Sequence, residues 1–215
     1  MEESAAKPTW RGGLHALASL AMLPLAVGLL NAARSNRARV AVVIYLLGVS
    51  AMFSVSALYH RGHWNTKAHN VLQKVDHSTI FLAIAGTYTP ISVLALHGGA
   101  RTLLLSVVWI GALVGISLQW IPVARSRVLT ALVYVVVGWS AVLVFGKLRD
   151  GLTTEAFVLV FLGGLAYTAG SVVYATKRPD PWPRTFGFHE VFHACTVIAA
   201  ASHALAVYLT LRHSR

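Results

Sequence analysis

Three short segments hold the residues best suited to chemistry: SALYH at 56–60, Asp76 at the head of DHSTIFLAIAGTYTP, and HEVFH at 189–193. His189 and His193 stand four positions apart, so on a helix both project from one face. Ser56 and His60 have the same spacing. Three neutral imidazoles with an open fourth position form a common catalytic zinc arrangement, and a nearby carboxylate, here Asp76, can hold the water or orient a ligand. Zinc held there acidifies water toward neutrality and so supplies a nucleophile. HEVFH also matches the HExxH pattern of zinc proteases, whose glutamate is the general base. On a helix, however, Glu190 stands about 100° from His189. The start of a helix suits an acidic side chain as a cap or ion-pair partner.

The elements that must position these residues are membrane spans. Of the 215 residues, 56% are hydrophobic and 12% charged, roughly half the charged fraction of a soluble domain. Mean hydropathy is +0.65. The apolar residues gather into runs of about 20, long enough to cross the hydrocarbon core as helices, which satisfy their own backbone hydrogen bonds. The pattern predicts an all-α, integral membrane bundle of seven transmembrane helices. The expected spans are 14–32, 38–59, 75–96, 102–121, 127–146, 154–175 and 188–211. A polar tail (1–13) precedes a single transmembrane domain (14–215). The first run resembles a signal peptide but is long for one, and it reads as a retained helix. The lone Cys195 excludes an intrachain disulfide and a cysteine-rich zinc site. A net charge of +11 comes from basic residues scattered between apolar runs. That is the placement of membrane topology signals, and it argues for a lipid bilayer and against nucleic acid as partner.

Span counting then fixes depth. The second span ends, and the third and seventh begin, on the side where the N-terminus lies. His60, Asp76, His189 and His193 therefore meet near one membrane face, which favours the bundle site over the protease pattern. Ten of the eighteen Lys and Arg lie on that side, a slight tilt toward a cytoplasmic N-terminus and an outside C-terminus. His15, His63, His69, His97 and His213 read as interfacial, hydrogen-bonded residues. His77 points about 100° away from Asp76. His203, about 15 Å along the axis from His193, reads as a packed residue or a donor behind the site. Pro90 removes a backbone donor and predicts a bend, near which Thr87, Tyr88 and Thr89 satisfy carbonyls or line a cavity.

The three motifs, in that order on helices 2, 3 and 7, resemble the hemolysin III family. That family is the bacterial branch related to the progestin and adipoQ receptors, among them the adiponectin receptors, and more distantly to the alkaline ceramidases. The likeness runs through essentially the whole chain. It implies that His60, His189 and His193 bind Zn2+, that Asp76 holds a zinc-bound water, and that Ser56 is the family's serine one turn before the first histidine. It also implies a site near the cytoplasmic face. The function expected is metal-dependent hydrolysis of a lipid, such as a ceramide-like amide, with Asp76 and Ser56 catalytic. The alternatives are a cytolytic, channel-forming hemolysin and a non-enzymatic receptor or regulator with structural zinc. Substrate, oligomeric state and the role of Glu190 are left open at this stage.

Overall fold

A computed structural model describes residues 8–121 and 127–213. Lys7, Arg125, Arg215 and most of the polar tail therefore lie outside the described residues. The described residues form an all-helical architecture, with seven helical segments among them long and apolar enough to cross a membrane. In order these are α1 (Gly13–Ala32), α2 (Asn36–Arg61), α3 (Thr66–Ala95), α4 (Gly98–Trp120), a composite fifth span, α7 (Thr154–Thr176) and α8 (Phe188–His213). The fifth span is built from α5 (Arg127–Gly138), a 3-10 stretch (Ser140–Val144) and α6 (Phe145–Gly151). Among the described residues the only β pairing is an isolated bridge between Trp182 and Phe186.

Local chemistry sets the helix starts. Ser35, Asn65 and Thr153 each accept the N–H three residues on, from Ala38, Ala68 and Ala156, so α2, α3 and α7 begin on side-chain caps. α3 is the least apolar span and the most enclosed, with 72% of its central window buried against 22% for α1. The arrangement follows from solvent: a helix carrying four Thr and two Ser gains little facing lipid and packs well against other helices. The apolar faces of α1, α4 and α7 are left outward, including Leu20, Leu23, Leu113 and Val172.

Two expected boundaries move. α3 begins at Thr66, not 75, so Asp76 stands about 15 Å inside the helix and not at its opening. The fifth span is not the continuous helix expected over 127–146, and the cause is Tyr88. Its hydroxyl donates to the Gly138 carbonyl and accepts the Ala141 N–H at 3.2 Å, so it stands in the backbone ladder of another helix. Ser140 Oγ donates to the Val137 carbonyl that Ala141 would otherwise use. The chain tightens into a 3-10 stretch and then resumes as α6, a break of the kind that an inserted side chain produces.

Candidate metal centre and cavity

α2 ends beside the start of α8, and side-chain lean brings their histidines to one depth. Helical side chains tilt toward the N-terminus of their own helix. His60, in the last turn of α2, thus leans into the bundle, while His189 and His193, near the start of α8, lean outward to meet it. His60 Nε2 lies 3.1 Å from His189 Nε2. The three histidines each offer a ring nitrogen within 4.8 Å of the others, close enough to hold a metal ion. Asp76 Oδ2 is 3.8 Å from His60 Nε2, and both side chains are 10% exposed. Ser56, buried one turn before His60, lies within hydrogen-bonding reach of the Asp76 carboxyl. All five residues expected from the sequence are therefore gathered in one place.

The connection between α2 and α3 is tied down locally. Trp64 Nε1 donates to the Tyr59 and Leu58 carbonyls in the last turn of α2, at 3.2 and 3.3 Å. The Tyr59 hydroxyl and His69 Nε2 are paired at 3.2 Å, which bears out the hydrogen-bonded reading of His69. Below Asp76, the Tyr134 hydroxyl of α5 donates to the His77 carbonyl at 3.1 Å.

Two groups at the site differ from, or go beyond, what the sequence implies. His15 is not interfacial: it is 3% exposed and stacks on His193, with ring centroids 3.7 Å apart and planes 12° from parallel. Phe53 meets its other side edge-on at 5.1 Å. The same span counting places the start of α1 at this face, so the signal for His15 was present. Glu190, 1% exposed, has both oxygens engaged. Oε2 accepts the Gly187 N–H at 2.9 Å, a reach-back that satisfies one free donor at the start of α8. Oε1 pairs with Arg11 Nε at 2.7 Å. The cap-and-pair reading of Glu190 holds.

Arg11 belongs to a strap laid across the site from the N-terminal side. The Thr9 and Trp10 N–H groups donate to the Arg184 and Thr185 carbonyls of the α7–α8 connection, at 3.2 and 3.1 Å. Gly12 closes the strap with φ 73°, and a Cβ there would come within 2.8 Å of His60 Cβ. Only glycine allows both the left-handed turn and that approach.

From the histidines a cavity of about 350 Å³ runs inward between α3, α5, α7 and α8. Ser56, Asp76, His189 and His193 line its outer end, and Leu148, Leu152 and Phe157 its inner end. Asp76 and Ile91, both on its wall, are fifteen positions apart on α3, about 22 Å and so most of a hydrocarbon core. Between the ends most of the lining side chains are apolar or aromatic. Thr87 and Tyr88 contribute to the wall, and Thr87 and Thr89 also donate back to the Ala83 and Ala85 carbonyls. The lining role expected around Pro90 is thus present, whereas the threonine hydroxyls reach the Ala83 and Ala85 carbonyls and not that of Gly86, the carbonyl whose donor Pro90 removes.

The sequence matches a family model described as haemolysin-III related over residues 4–204. It is 32% identical over 192 residues to "Hemolysin-3 homolog" of Bacillus subtilis (strain 168), covering 87% of this chain and 86% of the relative. With "Hemolysin-3" of Bacillus cereus it shares 29% over 182 residues, 83% and 80% of the two chains. "Monocyte to macrophage differentiation factor" of Homo sapiens is 26% identical over 176 residues, 80% of this chain and 70% of its own.

Proposed function

The chain belongs to the haemolysin-III-related family of multi-pass membrane proteins, and on that premise we propose that it is a zinc-dependent hydrolase acting on a lipid amide in the plasma membrane. The observation that carries the reading is the meeting of three histidines and a carboxylate at the mouth of a long apolar cavity. The donor set fits the ion. Zn–N bonds of about 2.0–2.1 Å place tetrahedral ligand nitrogens roughly 3.3 Å apart. His60 and His189 nitrogens already stand 3.1 Å apart, and a ring nitrogen of His193 lies within 4.8 Å of both, so these three residues would hold the ion.

When bound, zinc supplies Lewis acidity toward a carbonyl and acidifies water. The protein does the rest. The apolar cavity holds the hydrocarbon tail and sets the amide beside the histidines. Asp76 Oδ2 receives a proton from the attacking water and can return it to the leaving amine. Ser56 donates to Asp76 and keeps that carboxyl turned toward the reaction centre. The stacked pair of His15 and His193 and the strap through Arg11 restrict bulk water. Glu190 takes no part in proton transfer, because both of its oxygens are engaged elsewhere. The site lies at the cytoplasmic face of the membrane, with the N-terminus inside and the C-terminus outside.

Hydrolysis of a ceramide-like amide by purified protein, lost in Asp76→Ala with zinc retained, is the expected result. Silence across a broad panel of lipid amides and esters would overturn the enzymatic reading. A second reading, cytolysis, is favoured by the names of the Bacillus relatives. It expects dye release from liposomes that is indifferent to His60→Ala. A third, a receptor or regulator in which zinc only ties α2, α3 and α8 together, expects metal-dependent stability without turnover.

A further inference from the structure

The cavity has a polar waist that the chemistry at its mouth does not use. Tyr167 of α7 and His203 of α8 both line it, with ring centroids 5.7 Å apart. Tyr167 is seven positions from Tyr174, whose ring is 6.3 Å from His189. It therefore lies about 10 Å inward from the metal centre. The ten positions from His193 to His203 correspond to about 15 Å. Beyond the waist the cavity continues to Phe157, a further ten residues along α7.

The hydrogen-bonding capacity there is incomplete. His203 Nε2 donates to the Val160 carbonyl at 3.1 Å, which leaves Nδ1 as an acceptor. That Nδ1 is buried without a hydrogen-bond partner. Among the described residues the Tyr167 hydroxyl makes no hydrogen bond either. The nearby Thr168 is by contrast fully committed, donating to Gly164 and accepting from Trp139 Nε1 at 2.9 Å. The place is built: a Cβ on Gly163 would collide with the His203 ring, so glycine makes room for the imidazole. Uncommitted polar groups at mid-membrane are costly, and polar side chains kept at that depth serve a function by default.

We propose that Tyr167 and His203 form a second recognition site, for a hydroxyl or carbonyl carried partway along the hydrocarbon tail of the lipid ligand. Tyr167 donates to the tail oxygen, and a tail hydroxyl donates in turn to His203 Nδ1. The preferred substrate class is thus a long-chain lipid with an oxygen substituent about 10–15 Å from the group at the histidines. This rests on the lipid-hydrolase reading of the same cavity.

The test is competitive binding to the full chain in nanodiscs. It uses octadecanoic acid, the same acid with a hydroxyl near its middle, and the same acid with a hydroxyl at its methyl end. Two added hydrogen bonds predict about tenfold tighter binding of the mid-chain hydroxy acid. Tyr167→Phe removes one unpaired oxygen and is expected to abolish the preference while the plain acid binds as before. Equal binding of all three acids, or a preference that survives Tyr167→Phe, would overturn the waist and leave the lipid site standing. Failure of every acid to bind would remove both together.

Discussion

Glu190→Gln separates the two catalytic assignments that HEVFH permits. The substitution keeps the shape of the side chain and an oxygen able to accept the Gly187 N–H, now held by Glu190 Oε2 at 2.9 Å. It removes the charge facing Arg11 at 2.7 Å. Arg11 is 23% exposed, so water partly compensates it and the loss is smaller than for a fully buried pair. About 1–3 kcal/mol of stability is expected to go, a fall in melting temperature of roughly 2–10 °C for a chain of this size. A cycle with Arg11→Leu should recover a coupling of about 1–2 kcal/mol, because the two side chains touch. Metal content per folded molecule, and any hydrolytic rate per folded molecule, should stay within about twofold of wild type. Asp76→Asn should behave the other way round: metal retained, rate lost by at least 100-fold, the usual weight of a general base. If Glu190→Gln abolishes turnover at unchanged stability while Asp76→Asn turns over normally, the protease-like assignment is right and the role given to Asp76 is wrong.

Elemental analysis should find one equivalent of zinc in wild type and a loss of at least tenfold in affinity in His193→Ala or His60→Ala, since each supplies one of three ligands. Metal binding requires neutral imidazoles, whose ordinary pKa is about 6.5. Stability gained from metal should therefore be present at pH 8 and be lost on acidification as the imidazoles protonate, read as the difference in melting temperature with and without chelator. His15→Leu should keep the packing against Phe53 but lose the stacked ring on His193, loosening metal by about two- to tenfold with little change in fold. Tyr88→Phe deprives the Gly138 carbonyl and the Ala141 N–H of their partner. A cost of about 2–4 kcal/mol is expected in thermal unfolding, and a variant as stable as wild type would show that the break in the fifth span does not depend on this hydroxyl.

The meeting of His60, Asp76, His189 and His193 was legible because it needed only a parity argument: which ends of which spans share a side. Seven runs of apolar residues made that count secure. His15 obeyed the same count and was still misread, because a single histidine has no spacing partner on its own helix to mark it. The Arg11–Glu190 pair was half visible. An acid at a helix start announces a cap, but its basic partner comes from a strap whose path depends on backbone pairing with residues 184 and 185. The sequence pattern starts this span nine residues late, because the first turns of α3, capped by Asn65 and carrying Lys67, His69 and Lys74, lack the apolar run by which a span is recognised. Helix and span are different objects there.

The fifth span makes the deeper point about what a linear pattern can hold. RVLTALVYVVVGWSAVLVFG holds no proline, and its apolar content alone predicts one rod. The interruption is written elsewhere, in Tyr88 fifty residues earlier, whose neighbour Pro90 marks α3 as irregular. The residues between α5 and α6, Trp139 to Val144, include three that line the cavity, Trp139, Ala141 and Val142, and Gly138 at the end of α5 lines it beside them. Tyr88 lines it too. In lipid a backbone can leave the helix only where protein groups receive its N–H and C=O. One hydroxyl thus meets that requirement and shapes the wall against which a lipid tail would lie. A change at position 88 should therefore alter tail selectivity even though it stands far from the histidines.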